Sequence, residues 1–269
     1  SSRMASEAPT TFVSDAGWLG TLVCATILLG LRELRPLALQ VVPLRLQLLR
    51  NVLLRAELRV QRLALARGLP WVGINHLEGH LSAALLADTP PTYPHVALVV
   101  SGGHTHLYHI ERFGSYALLG RTRDDAAGEA FDKVAKVLGL GYPGGIHIDR
   151  LASDGDPKAI RLPRGMPSTK TLDFSFSGLK TACMEYIRKH GGALEGQHLV
   201  DFCASVQEAI ADILTKKAVA AALQVGAPGV VLAGGVAANS RIRALIEQRC
   251  QRQGLWAFVP PRVLCTDNA

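Results

Sequence analysis

The first residues with the type and spacing for chemistry are two histidines. HLEGH at 76–80 sets His76 and His80 four places apart, so on a helix both imidazoles lie on one face and can converge on a single metal ion. Zinc peptidases space their histidines the same way, as H-E-x-x-H with the glutamate as general base. Here the acid comes one place later. Glu78 stands about 200° round the helix from His76, pointing off the shared face, so a metallopeptidase would lack its base. Two ligands do not complete a metal site, and the same spacing also serves exposed or helix-capping histidines.

Two glycine turns offer a different chemistry. SGGHT at 101–105 ends an apolar run with glycines that let the backbone approach a ligand and present N–H groups to a phosphate. GGVAANS at 234–240 repeats the pattern between the apolar run 230–233 and a helix whose N-terminus suits phosphate or ribose. Neither matches G-x-G-x-x-G or the Walker sequence, which disfavours Rossmann-type and P-loop binding. Asp124, Asp125, Glu129 and Asp132 could hold a ribose hydroxyl or a metal-bound phosphate, or simply favour the dipole at a helix start. YPGG at 142–145 reads as a turn, either plain or closing over a base or sugar. DFSFSGLK at 173–180 places two aromatics beside hydroxyls and a lysine, as a lid edge or an exposed strand end.

The elements that must position these residues follow from periodicity. Leu49, Leu53, Ala56, Val60 and Leu63 recur at helical spacing with Arg55, Arg59 and Arg62 opposite. Residues 71–74 read as a short buried strand, followed by a polar, histidine-bearing helix to Leu86 and a loop with Pro90, Pro91 and Pro94. The aliphatic run 96–100 has the character of an interior strand, and the turn at 101–103 leads into a second strand over 105–110. Helices are expected over 129–138, 202–223 and 240–251, and a buried strand over 230–233. The mixture is α/β, without internal repeats.

Bulk properties bound the answer loosely. A chain of 269 residues with 48% hydrophobic content buries a sizeable core. The net charge of +7 and pI near 9.4 favour a polyanionic partner such as nucleic acid. Five cysteines without CxxC spacing argue against a disulfide framework and a cysteine zinc site, and fit a reducing cytoplasm. The apolar run 18–31 spans 14 residues, short of the roughly 20 that cross a membrane. The flanks of that run also make a poor signal peptide.

Taken in order, NHLEGH at 75–80, VSGGHT at 100–105, DDAAGEAFDKVAKVLGLGYPGG at 124–145, DFSFSGLKTA at 173–182, GGVAANS at 234–240 and CTDN at 265–268 resemble the tRNA threonylcarbamoyladenosine synthase catalytic family. The resemblance implies an actin-like ATPase, sugar kinase and heat-shock-70 type of fold, two-lobed around a nucleotide cleft. It implies a metal-dependent acyltransferase moving a threonylcarbamoyl group from threonylcarbamoyl-AMP to N6 of adenosine 37 in tRNAs that read ANN codons. On that reading His76, His80 and Asp267 bind one divalent ion per subunit, iron or zinc. Val99, Val100, Ser101, Gly102 and Gly103 form the phosphate and acyl-adenylate loop, while Asp132, Gly145, Asp149 and Asn239 contact the rest of the nucleotide. The implied partners are tRNA and subunits of the TsaB and TsaE type, in the cytoplasm and away from membranes.

The pattern also departs from the family. The usual opening strand and its phosphate loop have no counterpart in residues 1–62, which carry a leucine and arginine bias and no lysine, so the first lobe is expected to be incomplete. Ile146 stands where the family often has proline, and the final helix expected after the Asp267 motif is missing. The expected organisation is an atypical segment over 1–62 and a transferase-like core over 63–269, the alternative being an inactive fragment that keeps a nucleotide or partner surface. Residues 1 to about 60 are read as a foreign or frame-shifted sequence fused to a family core. Sequencing the flanking DNA tests this: a phosphate-loop sequence upstream in another frame is expected, and a clean in-frame gene would sink the idea.

Overall fold

The computed structural model of the chain describes residues 63–70, 73 and 75–265. Two compact units divide between Asn75 and His76. In the first, residues 63–66 form a helical turn that closes through the Arg67 N–H on the Leu63 carbonyl. The expected helix over 49–63 and strand over 71–74 otherwise lie outside the described residues, as does the biased segment 1–62; Gly73 is exposed and in no strand.

The second unit opens with the expected histidine helix, α1 (His76–Ala83), continued by a 3-10 turn (Ala84–Leu86). Five strands follow in one sheet: β1 (His95–Val100), β2 (Thr105–Arg112), β3 (Ser115–Arg121), β4 (Gly229–Ala233) and β5 (Trp256–Phe258). Their order is β3-β2-β1-β4-β5. β1 is the middle strand and every one of its residues is buried, which is what a continuous aliphatic run is for. It pairs antiparallel with β2 across the hairpin, with Val100 opposite Thr105, and parallel with β4, with Val99 opposite Ala233. The sheet edges, β3 and β5, were not apparent in the sequence.

Helices α2 (Ala127–Val137), α3 (Gly144–Ala152), α4 (Ser177–Lys189), α5 (Gly196–Val225) and α6 (Ser240–Arg252) complete the unit. The 30-residue α5 is the spine. Phe202, Val206, Ile210, Ile213 and Leu214 on it share one core with Val96, Leu98, Phe131, Ile148 and Ile246. α5 stops at Gly226, whose φ of +68° lets the Ala227 N–H return to the Ala222 carbonyl. The opposite sheet face carries a smaller cluster in which Ala97, Val99, Ile110 and Val231 meet Leu81 and Ala84.

Two segments differ from expectation. DFSFS at 173–177 is neither a lid edge nor an exposed strand end: Phe174 and Phe176 are fully buried, Phe174 bridges Thr122, and a helix begins at Ser177. Beneath it the buried Lys217 donates from Nζ to the Asp173 carbonyl and lies 5.4 Å from the Phe174 ring centre. Desolvation lowers the pKa of this ammonium, against the favourable charge of Asp173. YPGG at 142–145 is a turn only in its first half, because α3 begins at Gly144.

An ionic knot ties α5 to α6. Asp212 accepts from Arg249 and, at 3.2 Å, from Arg164 Nε. Burial opposes its ionisation, and the two guanidiniums more than offset this, so the carboxyl titrates below its ordinary 3.8. A depressed carboxyl stabilises the fold above the unfolded-state pKa and loses that contribution as pH falls through the folded value. Asp212→Asn should therefore lower stability at pH 7 by about 1–2 kcal/mol in urea unfolding. The gap to wild type should close as pH drops below 3.8; a gap independent of pH would exclude this role.

Candidate active site

Because β1 and β4 are parallel neighbours, their C-terminal ends emerge side by side and deliver both glycine turns to one edge of the sheet. Gly234 has φ +86°, and a Cβ there would sit 2.5 Å from the Val100 carbonyl oxygen, so only glycine permits this approach. Gly128, in the first turn of α2, meets the other turn as closely, with an added Cβ 2.5 Å from the Ser101 carbonyl oxygen. The Thr105 hydroxyl accepts from the first N–H of α2, Ala127, at 2.9 Å, fixing that helix end beside the hairpin.

Within the first turn, Val99 and Val100 are buried and offer only backbone. Ser101 is also buried; its N–H donates to the His104 carbonyl at 2.8 Å and its hydroxyl accepts from the His104 N–H at 3.2 Å. Gly102 and Gly103 are exposed with open space around them, so the turn presents bare backbone.

The four nucleotide candidates beyond this turn are engaged at helix starts. Asp132 Oδ1, on α2, accepts from the Gly144 N–H at 2.7 Å, with Gly145 next in α3. Asp149 on α3 accepts from the N–H of Ser240 at 3.2 Å and from its hydroxyl at 2.6 Å. Asn239 caps α6 through Oδ1, accepting from Arg241 and Ile242. These residues link α2 to α3 and α3 to α6 in series, around the ends of β1 and β4.

The acids at 124 and 125 prove to be structural instead. Asp124 accepts from the hydroxyls of Ser175 and Ser177 at 2.6 and 2.7 Å, and from the N–H groups of Phe176 and Ser177 at 2.8 and 3.3 Å. Asp125 is shared by Lys133 and Lys180, at 2.9 and 2.8 Å, and Glu129 pairs with Lys133. They are spent on α4 and on lysines rather than facing a ligand.

The histidines stand beside the first turn. His76 and His80 have ring centres 4.5 Å apart on α1, and His80 is buried. His104 lies 6.1 Å from His76 and 5.5 Å from His106. Burial, reinforced by His104 and Arg121, pushes His106 down to about 4, leaving it neutral. Glu78 accepts from the Tyr116 hydroxyl at 3.2 Å, in keeping with its position off the histidine face. Two imidazoles this close on one face suit an ion that takes nitrogen ligands and supply part of its donor set. Among the described residues no three His, Cys, Asp or Glu side chains form a metal-binding group, and Asp267 lies outside the described residues. The turn Arg262–Cys265 packs against α1 and against Gly235–Ala238. Burial holds the thiols of Cys183 and Cys203 up at about 12, far from metal-binding thiolates.

Thr105 figures in the sequence only as the end of the SGGHT run and the start of a strand, and Gln207 lies outside every motif. A lone amide within the apolar face of a long helix is the signal that marks Gln207, which is buried and accepts from Asn239 at 2.9 Å.

The fold is an α/β one of the actin-like ATPase type, represented among the described residues by one five-stranded sheet and its helices. The chain belongs to the TsaD family, tRNA N6-adenosine threonylcarbamoyltransferase, whose family model matches residues 57–269. It is 60% identical over 208 residues to the tRNA N6-adenosine threonylcarbamoyltransferase of Anaeromyxobacter dehalogenans (strain 2CP-1), covering 77% of this chain and 62% of that protein. With the protein of that name from Syntrophus aciditrophicus it shares 52% over 207 residues, 77% of this chain and 61% of the relative. The chain thus spans a little over three-fifths of these relatives. Among solved structures, HypF of T. kodakarensis matches with a TM-score of 0.54 at 14% identity, over 77% of this chain and 36% of that one, a likeness of fold alone.

Asp124→Ala should release the start of α4, at a cost of about 1–2 kcal/mol typical of a lost helix cap. Hydrogen exchange at the Phe176 and Ser177 amides should quicken while the 101–105 turn keeps its rate. Burial raises the Asp124 pKa but its four hydrogen bonds more than offset this, so in wild type the same protection should fade only below pH 3.8. Unchanged exchange in the variant would remove Asp124 from this role.

Proposed function

We propose that this chain carries the adenylate-binding and metal-binding part of a threonylcarbamoyl transferase acting on N6 of adenosine 37 in tRNAs that read ANN codons. The carrying observation is the side-by-side emergence of β1 and β4, which gathers two glycine turns and the N-termini of α2, α3 and α6 beside the histidine pair. Helix N-termini and bare glycine N–H groups favour anions, and an acyl adenylate brings a phosphate there.

In this reading the turn at Val99, Val100, Ser101, Gly102 and Gly103 binds the phosphate and orients the acyl group. Asp132 keeps lone pairs beyond the one given to Gly144, enough to accept from a ribose hydroxyl, and Gly145 lets the sugar approach. Asp149 and Asn239 hold the far side of the nucleotide. His76 and His80, joined by Asp267, would hold one iron or zinc ion, which when bound supplies Lewis-acid polarisation of the acyl carbonyl. The adenosine amine would form a C–N bond to the carbamoyl carbon as the C–O bond to phosphate breaks, AMP leaving and the amine's proton passing to solvent, with no protein nucleophile needed.

The net charge of +7 suits a tRNA substrate, since phosphate contacts drive such binding. Threonylcarbamoyl-AMP is the donor, and partner subunits of the TsaB and TsaE type complete the assembly. No helix among the described residues is long and apolar enough to cross a membrane, and the proposed place of action is the cytoplasm.

The test is transfer of labelled threonine from preformed threonylcarbamoyl-AMP to an unmodified ANN-decoding tRNA, with metal and partner subunits present. Product that falls to background with His80→Ala is expected. No product from this chain, while a full-length relative works in the same tubes, would overturn the reading.

A further inference from the structure

We infer that Gln207 is a positioning residue for the adenylate site, fixing the Asn239 amide so that a single Nδ2–H is left for the nucleotide. The inference rests on the reading of 234–240 as a nucleotide turn.

Two donors at the start of α6 have no choice of role. The N–H groups of Arg241 and Ile242, in the first turn of α6, each lie 3.1 Å from Asn239 Oδ1 and can only donate. The amide oxygen must therefore face the helix, and its nitrogen the other way. Nδ2 lies 2.9 Å from Gln207 Oε1, so Gln207 must turn its own oxygen toward it. The polarity of both side chains is set in series by the backbone of α6.

Both amides are buried, Gln207 at 5% exposure and Asn239 at 7%. Gln207 sits on α5 next to the core residue Val206, where an amide persists only if bonded. Asn239 has both lone pairs of Oδ1 filled and one N–H given to Gln207. One N–H remains, so the nucleotide atom it meets must be an acceptor: a phosphate or ribose oxygen, or a ring nitrogen, but not an exocyclic amine. Without Gln207 the amide is held from one side only, and a buried donor loses its partner.

The experiment uses the full chain as wild type, Gln207→Met, which removes the acceptor at similar volume, and Gln207→Glu, which keeps it. AMP is titrated by calorimetry, with thermal midpoints confirming that each variant is folded. Gln207→Met should weaken AMP binding roughly tenfold, as for an orphaned buried donor, and Gln207→Glu should stay within about threefold of wild type. Equal affinity in Gln207→Met and wild type overturns the inference, as does equal weakening in both variants. A readout free of variants guards against misfolding: in the nitrogen-15 spectrum of wild type, AMP should shift one Asn239 Nδ2 proton while the Gln207-bound one stays. Movement of both together overturns it. If wild type binds no AMP, the adenylate reading fails and takes the ligand half of the inference with it. The slow exchange of one Asn239 amide proton, present in wild type and lost in Gln207→Met, then still decides the positioning half, and equal exchange of the two protons in wild type overturns it.

Discussion

The parallel pairing of β1 with β4 is the interaction on which the rest of the molecule depends. Parallel strands cannot be joined by a tight turn, so the chain between them is spent on a hairpin, an edge strand and four helices that return over one sheet face. Their C-terminal ends consequently share an edge, and ligands of open α/β sheets bind outside such ends. Both strands are wholly buried, and the ladder is shielded from water on each face. At the end of this ladder lie two close approaches, Gly234 to Val100 and Gly128 to Ser101, where there is no room for a Cβ.

Around that edge, polar side chains serve the framework first. Asp132, Asp149 and Asn239 each satisfy N–H groups that a helix start leaves without an internal partner. This has a chemical consequence, because a group already committed to a backbone donor offers a ligand only its remaining lone pairs or hydrogens. In the proposed site these side chains are thereby fixed before a ligand would arrive, and preorganisation of that kind reduces the cost of ordering on binding.

A second layer of acids does comparable work farther out. Asp124, Asp125 and Asp173 bind the segment 173–180 to the end of β3 and the start of α2, while Lys217 holds the same segment from below. A loop with buried aromatics and this many anchors is a wall of the unit rather than a moving cover. The smaller apolar cluster on the opposite sheet face has a separate part, seating α1 and so placing His76 and His80 beside the hairpin turn.

What the sequence determined by itself was whatever a local pattern encodes. The runs at 96–100 and 230–233 were legible because strands buried on both faces need unbroken aliphatic residues. The helix bearing His76 and His80, the glycine turns and the long α5 followed from spacing and turn chemistry. The edge strands escaped notice: β3 is half exposed and mixed in character, and β5 has three residues. The starts of α3 and α4 were hidden for another reason, since neither carries its own cap. Gly144 is capped from Asp132, 12 residues earlier, and Phe176 from Asp124, 52 residues earlier. Gln207 and Asn239 lie 32 residues apart, and Asp149 and Ser240 lie 91 apart. Local propensity reaches only a few residues along the chain, whereas a hydrogen bond between distant residues exists only once the sheet has closed, so which acids cap and which remain for a ligand was decided by tertiary structure alone.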